Sequence, residues 1–189
     1  MNKTALLLID LQNDYFPGGK NPLDGSLQAV EKAGQLLANF RRLDWPIVHI
    51  QHLSTRPGAS FFVPGTSGAD IHPTVRPLAT ETVIQKNYPN SFRQTNLGEH
   101  LENLGVQRLV VSGMMTHMCL DAGVRAAVDR GYECWVASDA CASKDLVFEG
   151  QTIPAAQVHG AFLAALASAY ARVLPVEQVI SELEKLAAG

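Results

Sequence analysis

Residues 4–10, Thr4-Ala5-Leu6-Leu7-Leu8-Ile9-Asp10, decide how this chain folds. The apolar run from Ala5 to Ile9 shows no alternation, so it has no face to give to water. A strand of that kind is covered on both sides, as in a parallel sheet flanked by helices. Short apolar runs recur at Ile47-Val48-His49-Ile50 behind Pro46, Thr82-Val83-Ile84, Leu109-Val110-Val111, Cys134-Trp135-Val136-Ala137 and Arg172-Val173-Leu174. Between them lie stretches of helical spacing: Leu27 to Leu43, Leu97 to Leu104 before Gly105, Leu120 to Val128 before Gly131, Pro154 to Tyr170, and Val176 to Leu186. Strand alternating with helix implies crossover units and a parallel sheet. Right-handed crossovers and too few units for an eight-unit barrel leave one favoured topology. The sequence therefore predicts an α/β protein, a doubly wound three-layer α/β/α sandwich whose six-stranded parallel sheet has the order 3-2-1-4-5-6.

Composition agrees with a single globular domain over residues 1–189, with 47% hydrophobic and 17% charged residues. The 15 basic residues are outnumbered by 18 acidic ones, and no Lys/Arg block is present, so the electrostatic footprint of a nucleic-acid binder is missing. No apolar stretch approaches the roughly 18 residues of a spanning helix, which argues against a membrane partner. The short N-terminal run ends in Asp10 and does not resemble a secretory signal. The cysteines Cys119, Cys134 and Cys141 are odd in number and form no CxxC pair. A free thiol in a cytoplasmic protein is the expectation. The irregular stretch 53–77, rich in Gly, Pro, Ser and Thr, is too long to be an idle connection and reads as a lid or an interface element.

In an open parallel sheet of this order, ligands bind beyond the carboxyl ends of the strands at the switch point. Asp10 ends the first strand, Lys86 follows the third, and the fourth leads to Cys119. Each has a plain reading alone: Asp10 as a turn cap, Lys86 as a surface charge, Cys119 as a packed thiol. Placed together they are complementary. A thiol becomes a nucleophile when a base takes its proton or a positive environment lowers its pKa. Lys86 and the N-terminal end of the helix after Cys119 would supply positive charge, so a thiol held deprotonated or nearly so is expected. Asp10 would accept the proton and later pass it to a leaving amine. Backbone N–H groups of Gly113-Met114-Met115-Thr116-His117-Met118-Cys119 would form an oxyanion hole, which suits acyl transfer.

The chain resembles the isochorismatase-like hydrolase superfamily, in particular its cysteine amidohydrolase branch. The likeness covers nearly the whole chain and rests on three separated motifs: Leu7 to Phe16, Lys86 with Ser91-Phe92 and Thr95, and Gly113 to Cys119 followed by Asp121 and Arg125-Ala126-Ala127. It implies a catalytic triad of Asp10, Lys86 and Cys119 and hydrolysis of a small amide, ureide or lactam through an acyl-enzyme. It also implies a cis peptide at Met114-Met115 that aims the Met115 and Cys119 N–H groups at the substrate oxygen. A homo-oligomer is implied as well, and the small residues between Pro154 and Ala171 suit close packing.

Nicotinamidases of this superfamily that use a metal carry Asp-x-His after the second strand. Here the stretch is His49-Ile50-Gln51-His52 and lacks the aspartate. His49, His52 and His72 read better as hydrogen-bonded structural residues than as ligands, so no metal and no cofactor is expected. Candidate pocket residues are Phe16, Phe61, Tyr88 and His117, with Phe62 and Phe148 as further apolar wall. Rival functions are enol-ether hydrolysis of the isochorismatase type and a non-catalytic redox or assembly protein. A nucleotide-binding module is a further rival, disfavoured because Leu11-Gln12-Asn13-Asp14 lacks phosphate-cradling glycines.

Overall fold

The computed structural model describes residues 3–188. Its strands and helices follow in chain order as β1 (Lys3–Ile9), α1 (Ser26–Arg42), β2 (Ile47–His52), β3 (Thr82–Lys86), α2 (Leu97–Asn103), β4 (Val106–Met114), α3 (Asp121–Val128) and β5 (Glu133–Ala142). The chain continues as β6 (Leu146–Phe148), β7 (Gln151–Ile153), α4 (Ala155–Ala169), β8 (Ala171–Leu174) and α5 (Val176–Ala188). Six strands form one sheet in the order β3-β2-β1-β4-β5-β8, and all their pairings are parallel. This is the predicted topology, with β8 as the sixth predicted strand.

The unbroken apolar run of β1 works as its composition demands. Leu6 and Leu8 pack into one core with Val30, Ala33 and Leu37 of α1 and Val179 and Leu183 of α5. The alternate residues Ala5, Leu7 and Ile9 pack into a second core with α2, α3 and α4, through Leu101, Val124 and Leu166 among others. The period-2 alternation of a strand thus feeds two separate cores, and β1 lies buried between them. Each such side chain contributes about 1.5–3 kcal/mol when removed from water. Among the described residues no helix is long and apolar enough to cross a membrane.

Three features depart from expectation. Strand β5 does not stop at Ala137 but runs on to Ala142, its register with β4 shifting between Val111 and Gly113. That irregularity lets Cys141 and Ala142 flank Gly113 and Met114. A hairpin, β6 with β7, follows it and was not foreseen, with Val147 and Phe148 largely exposed. Phe148 is therefore no wall residue. Third, Cys119 does not directly precede an α-helix but lies inside a π-helical turn, Thr116–Leu120, that leads into α3.

Candidate active site

The site gathers at the carboxyl ends of β1, β3 and β4. Asp10 follows β1 with φ of 53°, a left-handed conformation that aspartate tolerates better than most residues. Its backbone N–H donates to the Ile50 carbonyl (3.1 Å), which fixes the turn against β2. The carboxylate is fully buried. Lys86, the last residue of β3, brings Nζ to 2.7 Å from Asp10 Oδ2. The same ammonium donates to the carbonyls of Tyr88 and Pro89, each at 3.1 Å, and to His52 Nδ1 at 3.2 Å. Burial alone would push the Asp10 carboxyl up, but the adjacent Lys86 ammonium overrides it and holds the carboxyl below its usual value. Burial likewise drives the Lys86 ammonium down, and the adjacent Asp10 outweighs it, leaving the lysine raised. The pair is therefore ionised at neutral pH.

A ring nitrogen of His52, a carboxylate oxygen of Asp10 and the sulfur of Cys119 all lie within 4.8 Å of one another. Burial pushes the Cys119 thiol up, the Asp10 carboxylate adds to it, and Lys86 offsets only part. The balance favours the thiol form, against the expectation of a thiol held deprotonated or nearly so, because the Asp10 carboxylate and the dry surroundings outweigh the lysine. Any cation held by Asp10, His52 and Cys119 would also face the Lys86 ammonium at short range, so this donor set fits a metal poorly.

The segment before Cys119 is fixed tightly. Gly113 has φ of 145°, and a Cβ there would collide with the Ile9 carbonyl oxygen, so only glycine lets β4 pass β1 here. The Met114–Met115 peptide is cis. The Thr116 hydroxyl donates to the Ala142 carbonyl (3.1 Å) and meets His159 Nδ1 at 2.9 Å. His117 Nδ1 meets the Ser143 hydroxyl at 2.6 Å. The extension of β5 therefore anchors the turn that carries Cys119.

Gln12 is a residue that sequence reasoning missed. Fully buried, it donates from Nε2 to the carbonyls of His52 and Ala69 (2.8 Å each) and accepts the His52 N–H at Oε1 (2.7 Å). One side chain thus ties the turn after Asp10 to the end of β2 and to the 53–77 loop. It lies among the polar residues Asp10, Asn13 and Asp14, and nothing local in the sequence sets it apart from them.

Cys119, Met115, Tyr15, His52 and Phe61 line a cavity of about 420 Å³, and residues 54–60 form much of its wall. The other pocket candidates lie elsewhere. Phe16 packs against His72 in a tilted arrangement, ring centroids 4.1 Å apart, beside a neighbouring cavity. Tyr88 gives its carbonyl to Lys86 while its ring sits under the Arg93 guanidinium. His117 turns to Ser143, and Phe62 is buried behind the wall against Tyr15. The three histidines weighed as ligands are dispersed: His49 bonds Glu81 (2.9 Å), His72 accepts from the Thr74 N–H, and His52 meets Lys86.

The isochorismatase family protein YddQ of Bacillus subtilis (strain 168) is 51% identical over 174 residues, 92% of this chain and 97% of its own. A streptothricin hydrolase of Streptomyces noursei is 32% identical over 155 residues, 80% of this chain and 55% of its own. The crystal structure of an isochorismatase from Pseudomonas putida KT2440 superposes with a TM-score of 0.87 at 37% identity, covering 93% of this chain and 89% of that one. Residues 4–178 match the isochorismatase domain, and the chain belongs to that family of hydrolases.

Proposed function

We propose that this protein is a cysteine hydrolase that cleaves a C–N bond of a small amide, ureide or lactam through an acyl-enzyme on Cys119. The observation that carries the reading is the buried, ionised Asp10–Lys86 pair (2.7 Å) set against a buried thiol that opens onto a cavity. A carboxylate and an ammonium with no water between them have no simple structural purpose, because replacing such a pair by apolar residues is often stabilising. Resemblance to a streptothricin hydrolase supports C–N chemistry.

Asp10 takes the thiol proton as sulfur attacks the carbonyl carbon, so thiolate forms only as it is consumed. The carbonyl π electrons move to oxygen, where the N–H groups of Met115 and Cys119 are assigned as donors. Collapse reforms the carbonyl and breaks the C–N bond, and protonated Asp10 returns the proton to the leaving nitrogen. Water then gives a proton to Asp10 and attacks the thioester carbon; collapse breaks the C–S bond, releases the acid, and Asp10 returns the proton to the sulfur, restoring carboxylate and thiol. Lys86 keeps Asp10 anionic at rest and offsets the sulfur's charge as it develops. No metal or organic cofactor is required for these steps.

The test is a library of small amides, ureides and lactams scored by release of ammonia or amine. Cys119→Ser and Cys119→Ala are expected to lose turnover by at least about 10³-fold while melting like the parent. Full activity in both variants would overturn the proposal.

A further inference from the structure

We infer that the substrate of this site carries a carboxylate, recognised by Arg56 and by the Nε2–H of His52. The inference rests on the hydrolase reading above and names the substrate class that reading leaves open.

The first observation is the charge of the cavity wall. Arg56 lines the cavity that holds Cys119, and no carboxylate side chain lines it. Arg56 has no ion pair among the described residues, whereas Arg41, Arg42, Arg108, Arg125 and Arg172 all contact carboxylates. Nor does Arg56 lie over an aromatic ring, as Arg93 and Arg130 do. Asp10 does not cancel it, because the Asp10 charge is already matched by Lys86 at 2.7 Å. A ligand entering the cavity therefore meets an unbalanced guanidinium, a group suited to bidentate carboxylate recognition.

The second observation fixes the proton on His52. Its Nδ1 lies 3.2 Å from Lys86 Nζ and 3.8 Å from Asp10 Oδ2. An ammonium can only donate, so at the shorter contact Nδ1 accepts, and the ring hydrogen sits on Nε2. Nε2 has no protein partner among the described residues, and the ring faces the cavity. Gln12 clamps the His52 backbone on both its N–H and its carbonyl, so the ring is presented by a rigid support. The wall thus offers a cation and a fixed N–H donor close to the nucleophile.

The backbone that carries Arg56 is also held in place. The loop is closed by the Ser54 N–H donating to the Phe62 carbonyl (2.8 Å), and the Phe62 N–H donates to the buried Asp14 carboxylate (2.7 Å). The Arg56 side chain itself is exposed, so its reach to a ligand starts from a fixed backbone position.

Two alkylating reagents that differ only in a carboxylate test this without a known substrate. Iodoacetate and iodoacetamide each form a thioether at Cys119, expelling iodide as the thiol proton is lost. Rates are read by mass spectrometry of the Cys119 peptide from native protein, and the iodoacetate/iodoacetamide ratio is divided by that of glutathione. The normalised ratio is expected to exceed one by about fivefold, the scale of a partly exposed ion pair. It should fall toward one in Arg56→Gln, in His52→Phe, and at high salt. A normalised ratio at or below one overturns the inference. So does a preference that survives both substitutions, or a native Cys119 that neither reagent reaches. The amide library separates this failure from that of the hydrolase reading. If neutral amides are cleaved through Cys119 as fast as matched carboxylate-bearing ones, the inference falls and the hydrolase stands. If no amide is cleaved, both fall.

Discussion

Asp10 shows how much one position must satisfy. It sits at φ of 53°, is fully buried, and holds a lysine at 2.7 Å. Asparagine tolerates the left-handed conformation but cannot take a proton, so Asp10→Asn separates backbone from chemistry. Turnover is expected to fall by about 10²–10⁴-fold, the usual worth of a positioned general base, and stability falls with it because the buried Lys86 ammonium loses its carboxylate. Lys86→Met should cost stability too, about 3–5 kcal/mol in urea unfolding, because it leaves the Asp10 charge buried and unpaired. The double variant Asp10→Asn/Lys86→Met should recover most of that loss, and additive losses would refute the pairing. Asp10, Lys86 and Cys119 were legible because each stands at or just beyond a strand end, and strand ends can be read from apolar runs. Gln12 was not legible. Its value lies in which distant carbonyls it reaches, and nothing local in a sequence encodes that. The upward push on the Cys119 thiol was not legible for a related reason, since its cause is burial, which needs three dimensions.

At the level of elements, the 53–77 segment is more ordered than its composition suggests. Phe62 and Val75 are fully buried, and Ala69 is held through its carbonyl by both Gln12 and Gln51. Asp14 organises the cavity-facing part, accepting from the Phe62 N–H with one oxygen (2.7 Å) and from the Lys20 N–H with the other (3.1 Å). Gly68 must be glycine because a Cβ would strike that same carboxylate. Asp14→Ala leaves two backbone donors without an acceptor, a cost of about 1–3 kcal/mol for the buried one. The expected result is faster amide hydrogen exchange in residues 54–62 and an increased KM, with exchange in β1 and β4 unchanged. Unaltered exchange at 54–62 would show that Asp14 does not hold the loop. Sequence placed this segment but not its internal contacts, because Gly- and Ser-rich stretches carry no periodicity to read. The β6–β7 hairpin was missed for the same reason: three-residue strands are too short for alternation to register.

On the scale of the whole molecule, the sheet order followed from the succession of apolar runs and helices, since handedness and crossover rules leave few alternatives. The extent of β5 did not, because its last five residues are fixed by contact with β4 and not by their own pattern. The sheet carries a charged network at each end, and the second of them, like the Asp10–Lys86 pair, weakens in acid. Glu81 binds Arg41 through both oxygens (2.6 and 2.9 Å) and also meets His49 Nε2 (2.9 Å), joining the start of β3 to α1 and β2. Burial would raise the Glu81 carboxyl, yet Arg41, the Leu78 N–H and His49 bring it from 4.5 to about 2. A carboxyl depressed in the folded state stabilises fully above its unfolded value of 4.5 and loses that contribution as pH falls toward 2. His49 acts in the same direction. Burial lowers it from 6.5 despite Glu81, so below pH 6.5 the unfolded chain binds a proton that the folded one resists. The melting temperature should therefore decline as pH drops below 6.5 and more steeply below 4.5. In Glu81→Gln the loss is expected to be large at neutral pH and to shrink as pH falls from 4.5 toward 2, so the gap between the two melting curves at pH 3 is clearly smaller than at pH 7. A gap of constant size between pH 7 and pH 3 would mean that Glu81 stabilises by packing alone and that the ion network contributes nothing to the acid limit.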